Sequence, residues 1–363
     1  MEAGNGQGRE GNERAVDGTR GTAPRQSRRR GLLIGGAIAF GLLFLTVSAI
    51  ALVLISGPGG TDGGGGGDRV APMTFKEKYV SGEGSDKIAV LPVTGLIGPQ
   101  NPEPIPLSAP AATPEAIRDQ LRQATEDERV KAVIFEVNSP GGGVVPTDQI
   151  YESILDFKET TGKPVVVSMD ATAASGGYYI ATAADRIVAN ANTLTGSLGV
   201  IFTYLNFEEA ADNLGLEEEV VKSGTFKDIG SATREPTEEE LEILQTYVDE
   251  GYDRFVEVIV EGRKLPEEEV RELADGRIYS GLQAESLGLV DELGDLERAA
   301  EISRELASLE EATTVRYQPR SPGLAELLGA RLGSSPEPAA ETLKVLETAG
   351  LSPTPELQYL YRP

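Results

Sequence analysis

KAVIFEVNSPGGG, residues 131–143, decides the architecture. Lys131–Val137 is a short run dominated by β-branched, aromatic and small apolar side chains, the composition of a strand buried in a sheet. Asn138-Ser139-Pro140-Gly141-Gly142-Gly143 stops it with proline and three glycines, which mark a turn. From Thr147 to Phe157 the apolar spacing becomes helical. Outward from this strand–turn–helix unit the pattern repeats. KIAVLPV (Lys87–Val93) reads as a strand, and Thr113-Pro114 opens a helix running to about Thr125, with Ile117, Leu121 and Ala124 on one face. PVVVSM (Pro164–Met169) is a third strand, Ser175–Ala183 a short helix and Arg186–Ala189 a further strand. Repeated strand–helix units predict a parallel α/β core.

The remainder is more helical. A short apolar strand is expected at Glu219–Val221. The longest helical pattern runs from Pro236 to Arg263, with Leu241, Ile243, Leu244, Tyr247, Val248, Tyr252, Phe255 and Val258 on a broad apolar face. Helices follow at 266–274 and 295–306. After Arg320 the chain is rich in Pro, Ser, Gly and Ala, so 321–363 reads as a poorly ordered tail or a docking arm, with one short helix at 340–349.

The first 86 residues belong to no such core. Residues 1–30 are polar and Gly-rich, without hydrophobic periodicity, and read as a disordered tail. Gly31–Ser56 contains no charge in 26 residues, about 39 Å as a helix, enough to cross a hydrocarbon layer of about 30 Å. Arg25, Arg28, Arg29 and Arg30 precede it, which places the N-terminus in the cytoplasm and the rest outside. A cleaved signal peptide ending near Val47-Ser48-Ala49 is the competing reading, but the apolar run is longer than an h-region. Residues 57–86, with five consecutive glycines at 63–67, read as a tether. A phosphate loop is disfavoured, because no Gly-Lys-Ser/Thr follows.

Composition removes most catalytic chemistries. The 363 residues include no Cys, His or Trp. A Ser–His–Asp triad, a thiol nucleophile, a disulfide and a His- or Cys-ligated metal are therefore impossible. What remains is Ser or Thr activated by Lys, paired carboxylates, or a metal on oxygen ligands. The formal net charge of -25 argues against a nucleic-acid partner.

Three Gly/Ser segments could carry chemistry. Asn138–Gly143 sits at the carboxyl end of a strand, where α/β sheets bind ligands and glycine N–H groups can face an oxyanion. Ala173-Ala174-Ser175-Gly176-Gly177-Tyr178-Tyr179 places Ser175 at a helix start between small neighbours; the plain alternative is a serine N-cap. Thr195-Gly196-Ser197-Leu198-Gly199-Val200 offers a third hydroxyl, or an ordinary turn. A serine needs a base, and without His a neutral lysine is the natural one. Lys222 and Lys227 flank Ser223-Gly224-Thr225-Phe226, and the residues alone leave the choice between them open.

Taken in order, NSPGGG, ASGGYY, TGSLGV and KSGTFKD (Lys222–Asp228) resemble the signal peptide peptidase A family in its short single-unit form. The likeness runs from about Lys87 to about Asp295 and includes DGRIYSGLQAESLGLVDELG at 275–294. It implies a Clp protease/crotonase-like spiral of ββα units over 87–320, behind an N-terminal transmembrane helix. It implies Ser175 as nucleophile, Lys227 as general base, Ser197 orienting that lysine, and the backbone N–H groups of Gly142 and Gly176 as the oxyanion hole. It further implies no cofactor, a ring-shaped homo-oligomer in which the dyad can be completed between neighbouring subunits, and signal peptide remnants as substrates. The rival readings are an acyl-CoA-handling relative on the same spiral and a catalytically silent scaffold.

Overall fold

The computed structural model describes residues 73–98, 112–319 and 357–360. The expected membrane helix at 31–56, the N-terminal tail, most of the tether and the helix at 340–349 lie outside those residues. No helix among the described residues is long and apolar enough to cross a membrane.

In chain order the elements are β1 (Phe75–Ser81), β2 (Lys87–Thr94), α1 (Pro114–Glu126), β3 (Val130–Ser139), β4 (Gly141–Gly143), α2 (Val144–Thr161), β5 (Val165–Ala174), α3 (Gly176–Ala181), β6 (Arg186–Ala189), β7 (Leu194–Gly196) and β8 (Ile201–Phe202). Then come α4 (Glu208–Leu214), α5 (Glu238–Arg263), α6 (Glu267–Leu273), β9 (Ile278–Ser280), α7 (Gly281–Ser286), β10 (Glu292–Leu293), α8 (Leu296–Leu306), β11 (Thr313–Pro319) and β12 (Leu357–Leu360).

The main sheet is mixed, in the order β1-β11-β2-β3-β5-β6-β10, and β11 through β10 run parallel. Its central strands are covered on both faces, as their near-continuous apolar sequences require. Ile117 and Leu121 of α1, Ile150, Ile154 and Phe157 of α2, and Phe255 of α5 fill one face. Ala299, Ala300 and Ile302 of α8 fill the other, against Ile88, Val90 and Ile134. Helix starts follow local chemistry. The Thr113 side chain accepts from the Ala116 N–H with Pro114 at the first helical position. Thr237 and Glu240 form a reciprocal capping box at α5.

Four features differ from the sequence reading. The folded body starts before Lys87, because β1 pairs antiparallel with β11 inside the expected tether. It also extends past 320, because residues 357–360 of the expected tail form a strand. No strand forms at Glu219–Val221; that segment is irregular and exposed, and no strand among the described residues pairs with it. The apolar face of α5 is buried only in its second half: Phe255 and Val258 are in the core, while Leu241, Ile243 and Tyr247 stay exposed.

One buried cation ties the edge of the sheet. Lys87 Nζ donates to Glu77 (2.6 Å to Oε2) and to Asp127 Oδ2 at 2.8 Å. Burial pushes the Asp127 carboxyl up, but hydrogen bonds from Lys87 and Arg129 outweigh it and hold it at about 2. A carboxyl with a depressed folded-state pKa contributes stability above its unfolded value near 3.8, lost as pH falls through about 2. Urea midpoints should therefore fall on acidification from pH 4 towards 2, and Asp127→Asn should flatten that slope.

Candidate active site

The site grows from the carboxyl ends of β5 and β7. These strands pair in parallel with Ala174 opposite Gly196, so Ser175 and Ser197 follow at adjacent strand ends. Both turn sharply: Ser175 has φ 53° and Ser197 φ 50°. Positive φ strains a non-glycine residue by about 1–3 kcal/mol and persists only where the surroundings hold it. At Ser175 they do. Its N–H donates to Gly196 O at 2.8 Å, and its carbonyl accepts from Tyr179 N–H at 2.9 Å as α3 begins. Its hydroxyl makes no capping bond, so the plain N-cap explanation for this serine does not hold. All six residues of α3 are buried. Tyr178 Oη donates to Leu289 O at 2.8 Å, and Gly262 of α5 packs so closely that a methyl on it would fall 2.3 Å from Thr182 O.

The glycine strand β4 lies beside Ser175. Ile97 N–H donates to Gly141 O, and Gly143 N–H to Ile97 O, both at 2.9 Å. Successive residues of a strand present N–H groups to opposite sides, so Gly142 N–H points away from Ile97. Bulk is excluded here: a methyl on Gly142 would fall 1.8 Å from Ile97 O. A methyl on Gly176 would fall 3.1 Å from Gly141 Cα and 3.2 Å from Gly142 N. The backbones of Gly142 and Gly176 thus converge in front of Ser175, where a carbonyl oxygen could be held.

A segment of the chain itself lies along this edge. Strand β12 runs antiparallel to β4, with Tyr359 opposite Gly142 and Leu360 opposite Gly141. On its other side it pairs with β8, Gln358 opposite Ile201. A methyl on Gly141 would fall 2.0 Å from Tyr359 O and 2.6 Å from Gly176 N, which puts that carbonyl at the glycine cradle. The Tyr359 ring is fully buried. It stacks on Tyr179 at 4.9 Å, lies 4.7 Å from Phe255, and donates its hydroxyl to Gly251 O at 2.9 Å.

Ser197 is held from across the chain: its N–H donates to Arg277 O at 2.7 Å, and Gly276 N–H to Leu198 O at 3.2 Å. Lys227 is not brought in. It is exposed, and no hydrogen bond joins its Nζ to Ser175 or Ser197. Lys222 is committed elsewhere, 2.7 Å from Asp228 Oδ1. Hydrogen bonds from Arg234 and Lys222 hold the Asp228 carboxyl well below the usual carboxylate range. The structure therefore assembles Ser175, Ser197, Gly142 and Gly176 and leaves the lysine apart. Sequence reasoning missed Ile97, the clamp on β4, and Tyr359. For Ile97 a faint signal existed, a strand-end residue bracketed by Gly95 and Gly98.

Such an arrangement suits acyl transfer: a serine held in one conformation, backbone donors beside it, and a strand edge that aligns an extended peptide. Comparisons with known proteins point the same way. Residues 158–310 match the profile of peptidase family S49. An Enterococcus faecium protein provisionally named signal peptide peptidase SppA is 34% identical over 351 residues, covering 92% of this chain and 99% of the relative. Protease 4 of Haemophilus influenzae is 37% identical over 64% of this chain and 36% of its own length. The chloroplastic serine protease SPPA of Arabidopsis thaliana is 34% identical over 72% of this chain and 39% of its own.

Proposed function

The chain belongs to peptidase family S49 and is a serine peptidase, and from that premise we propose that it is a membrane-anchored endopeptidase cutting extended apolar peptides with a Ser175–Lys227 dyad. The observation that carries this reading is β12, an extended peptide segment seated between β4 and β8 with a carbonyl at the glycine cradle.

In the proposed reaction neutral Lys227 takes the proton from Ser175 Oγ as that oxygen bonds to the scissile carbonyl carbon. The carbonyl oxygen becomes an oxyanion held by the N–H groups of Gly142 and Gly176, each worth about 10²–10³-fold. The C–N bond breaks as the leaving amine takes the proton from Lys227; Lys227, neutral again, then takes a proton from the attacking water and returns it to Ser175 Oγ as the acyl group is released as an acid. Ser197 orients the lysine. Lys227 must first be taken out of water, because an exposed lysine keeps its proton near pH 7 and cannot act as a base. Exposed Leu214, Leu216, Val221 and Phe226 precede it in sequence. Covering them in a ring of subunits would bury the lysine and bring it to a serine, in the same subunit or the next. The Clp protease/crotonase spiral, the single membrane helix at 31–56, the outward-facing catalytic domain and signal peptide remnants as substrates complete the reading.

The test is covalent trapping. An apolar peptide aldehyde should form a hemiacetal at Ser175, located by mass spectrometry, and a chain ending before Leu357 should react faster because the groove edge is open. An adduct on another residue would overturn the nucleophile assignment, and an unchanged rate would overturn the reading of the groove.

A further inference from the structure

Thr147 lies in the first turns of α2, four residues past Gly143, and is fully buried. Among the described residues its Oγ1 has no hydrogen-bond partner. A helical threonine ordinarily bonds back to the carbonyl three or four residues earlier, and this one does not. An unpaired buried hydroxyl is destabilising, whereas valine would fill the same space without that penalty. The place of the hydroxyl gives it a use. A methyl on Gly176 would fall 2.9 Å from Thr147 Oγ1 and 3.2 Å from Gly142 N, so the orphan hydroxyl borders the space between the two glycine backbones.

We propose that Thr147 is a catalytic residue, a third donor to the oxyanion, unpaired at rest and engaged when charge builds on the scissile carbonyl oxygen. The inference rests on the Ser175 acyl-transfer reading above. A donor that gains its acceptor only in the transition state stabilises that state selectively, so removing it lowers kcat and kcat/KM together. The other buried residues around the cradle lack this property. Tyr179 Oη already donates to Asp148, and Ser139 Oγ is held as the acceptor of Gly141 N–H, so of these hydroxyls only Thr147 has no bond at all.

The experiment is peptide hydrolysis by Thr147→Val and Thr147→Ser in the full chain, with thermal unfolding in parallel and Ser175→Ala as reference. Thr147→Val should lower kcat about 10- to 100-fold, below the loss for a main oxyanion donor. KM should stay within about twofold, the melting temperature should be unchanged or higher, and affinity for a peptide aldehyde should fall by a similar factor. Thr147→Ser should stay within about threefold of the parent, because it keeps the hydroxyl. A Thr147→Val enzyme with parental kcat overturns the proposal. So does a rise in KM at constant kcat, or a serine variant as poor as the valine one, which would make the role one of volume. Hydrolysis surviving in Ser175→Ala would instead overturn the underlying reading, so the two failures are distinguishable.

Discussion

Ser175→Ala is expected to lower kcat by about 10⁴–10⁶-fold, the loss seen when the nucleophile of a catalytic serine unit is removed. The residual rate would come from backbone donors and binding alone. The expectation is sharper than a generic serine knock-out because of the backbone. Ser175 sits at φ 53°, held by the bond from its N–H to Gly196 O. Alanine tolerates that conformation no better than serine and no worse, so the fold should survive. Binding should survive too, since the main-chain partners that β4 and β8 offer a peptide once β12 is displaced are untouched by the substitution. Measured in parallel, peptide affinity by fluorescence anisotropy should stay within a few-fold while turnover vanishes. A variant that lost both would mean that Ser175 supports the fold rather than the reaction.

Lys227→Ala is the second large effect, about 10²–10⁴-fold in kcat, the span of a general base. Lys222→Ala should stay within about threefold. The two lysines are five residues apart in the same exposed segment, and the structure separates them by partner: Lys222 is 2.7 Å from Asp228, while Lys227 is bound to neither Asp228 nor Glu240. Steady-state kinetics on both variants decides the matter. If Lys222→Ala were the dead enzyme, the Asp228 ion pair would have to break for catalysis and the base would be misassigned.

Much of the fold was legible because its strands are strongly patterned. Lys131–Val137 and Pro164–Met169 are apolar enough to demand burial on both sides, and glycine or proline ends each unit. Residues 357–360 were not legible, because four residues in a Pro- and Ser-rich stretch carry no period. Only pairing with β4 and β8 makes LQYL a strand. At Glu219–Val221 the opposite holds: local apolar character suggests a strand, but a strand needs a partner edge and none among the described residues pairs with it. In the site, Ser175 stood out as a hydroxyl between small residues where a strand meets a helix, whereas Gly142, Gly176 and the role of Ser197 came only with the family resemblance. Thr147 could not be picked out, since TDQIYESIL reads as an ordinary helix and an unpaired hydroxyl is visible only once Gly176 is placed against it. The exposed Leu241, Ile243 and Tyr247 show why amphipathicity in α5 was over-read: a helical stripe reports that a face is apolar, not what covers it.

The pinning of the Ser197 loop has a consequence for how this enzyme comes into being. Its N–H bond to Arg277 O and the β7–β9 pairing join residues some eighty positions apart, and β11 must still insert between β1 and β2 to complete the sheet. Contacts of such long sequence separation form slowly, after the loop entropy of closing them has been met. A chain emerging from the ribosome therefore exposes Ser175 well before it owns the groove beside it. Competence to cut peptides is expected to wait for β9 and β11, the strands that pin the Ser197 loop and complete the sheet, so a chain released before they pair should be chemically silent.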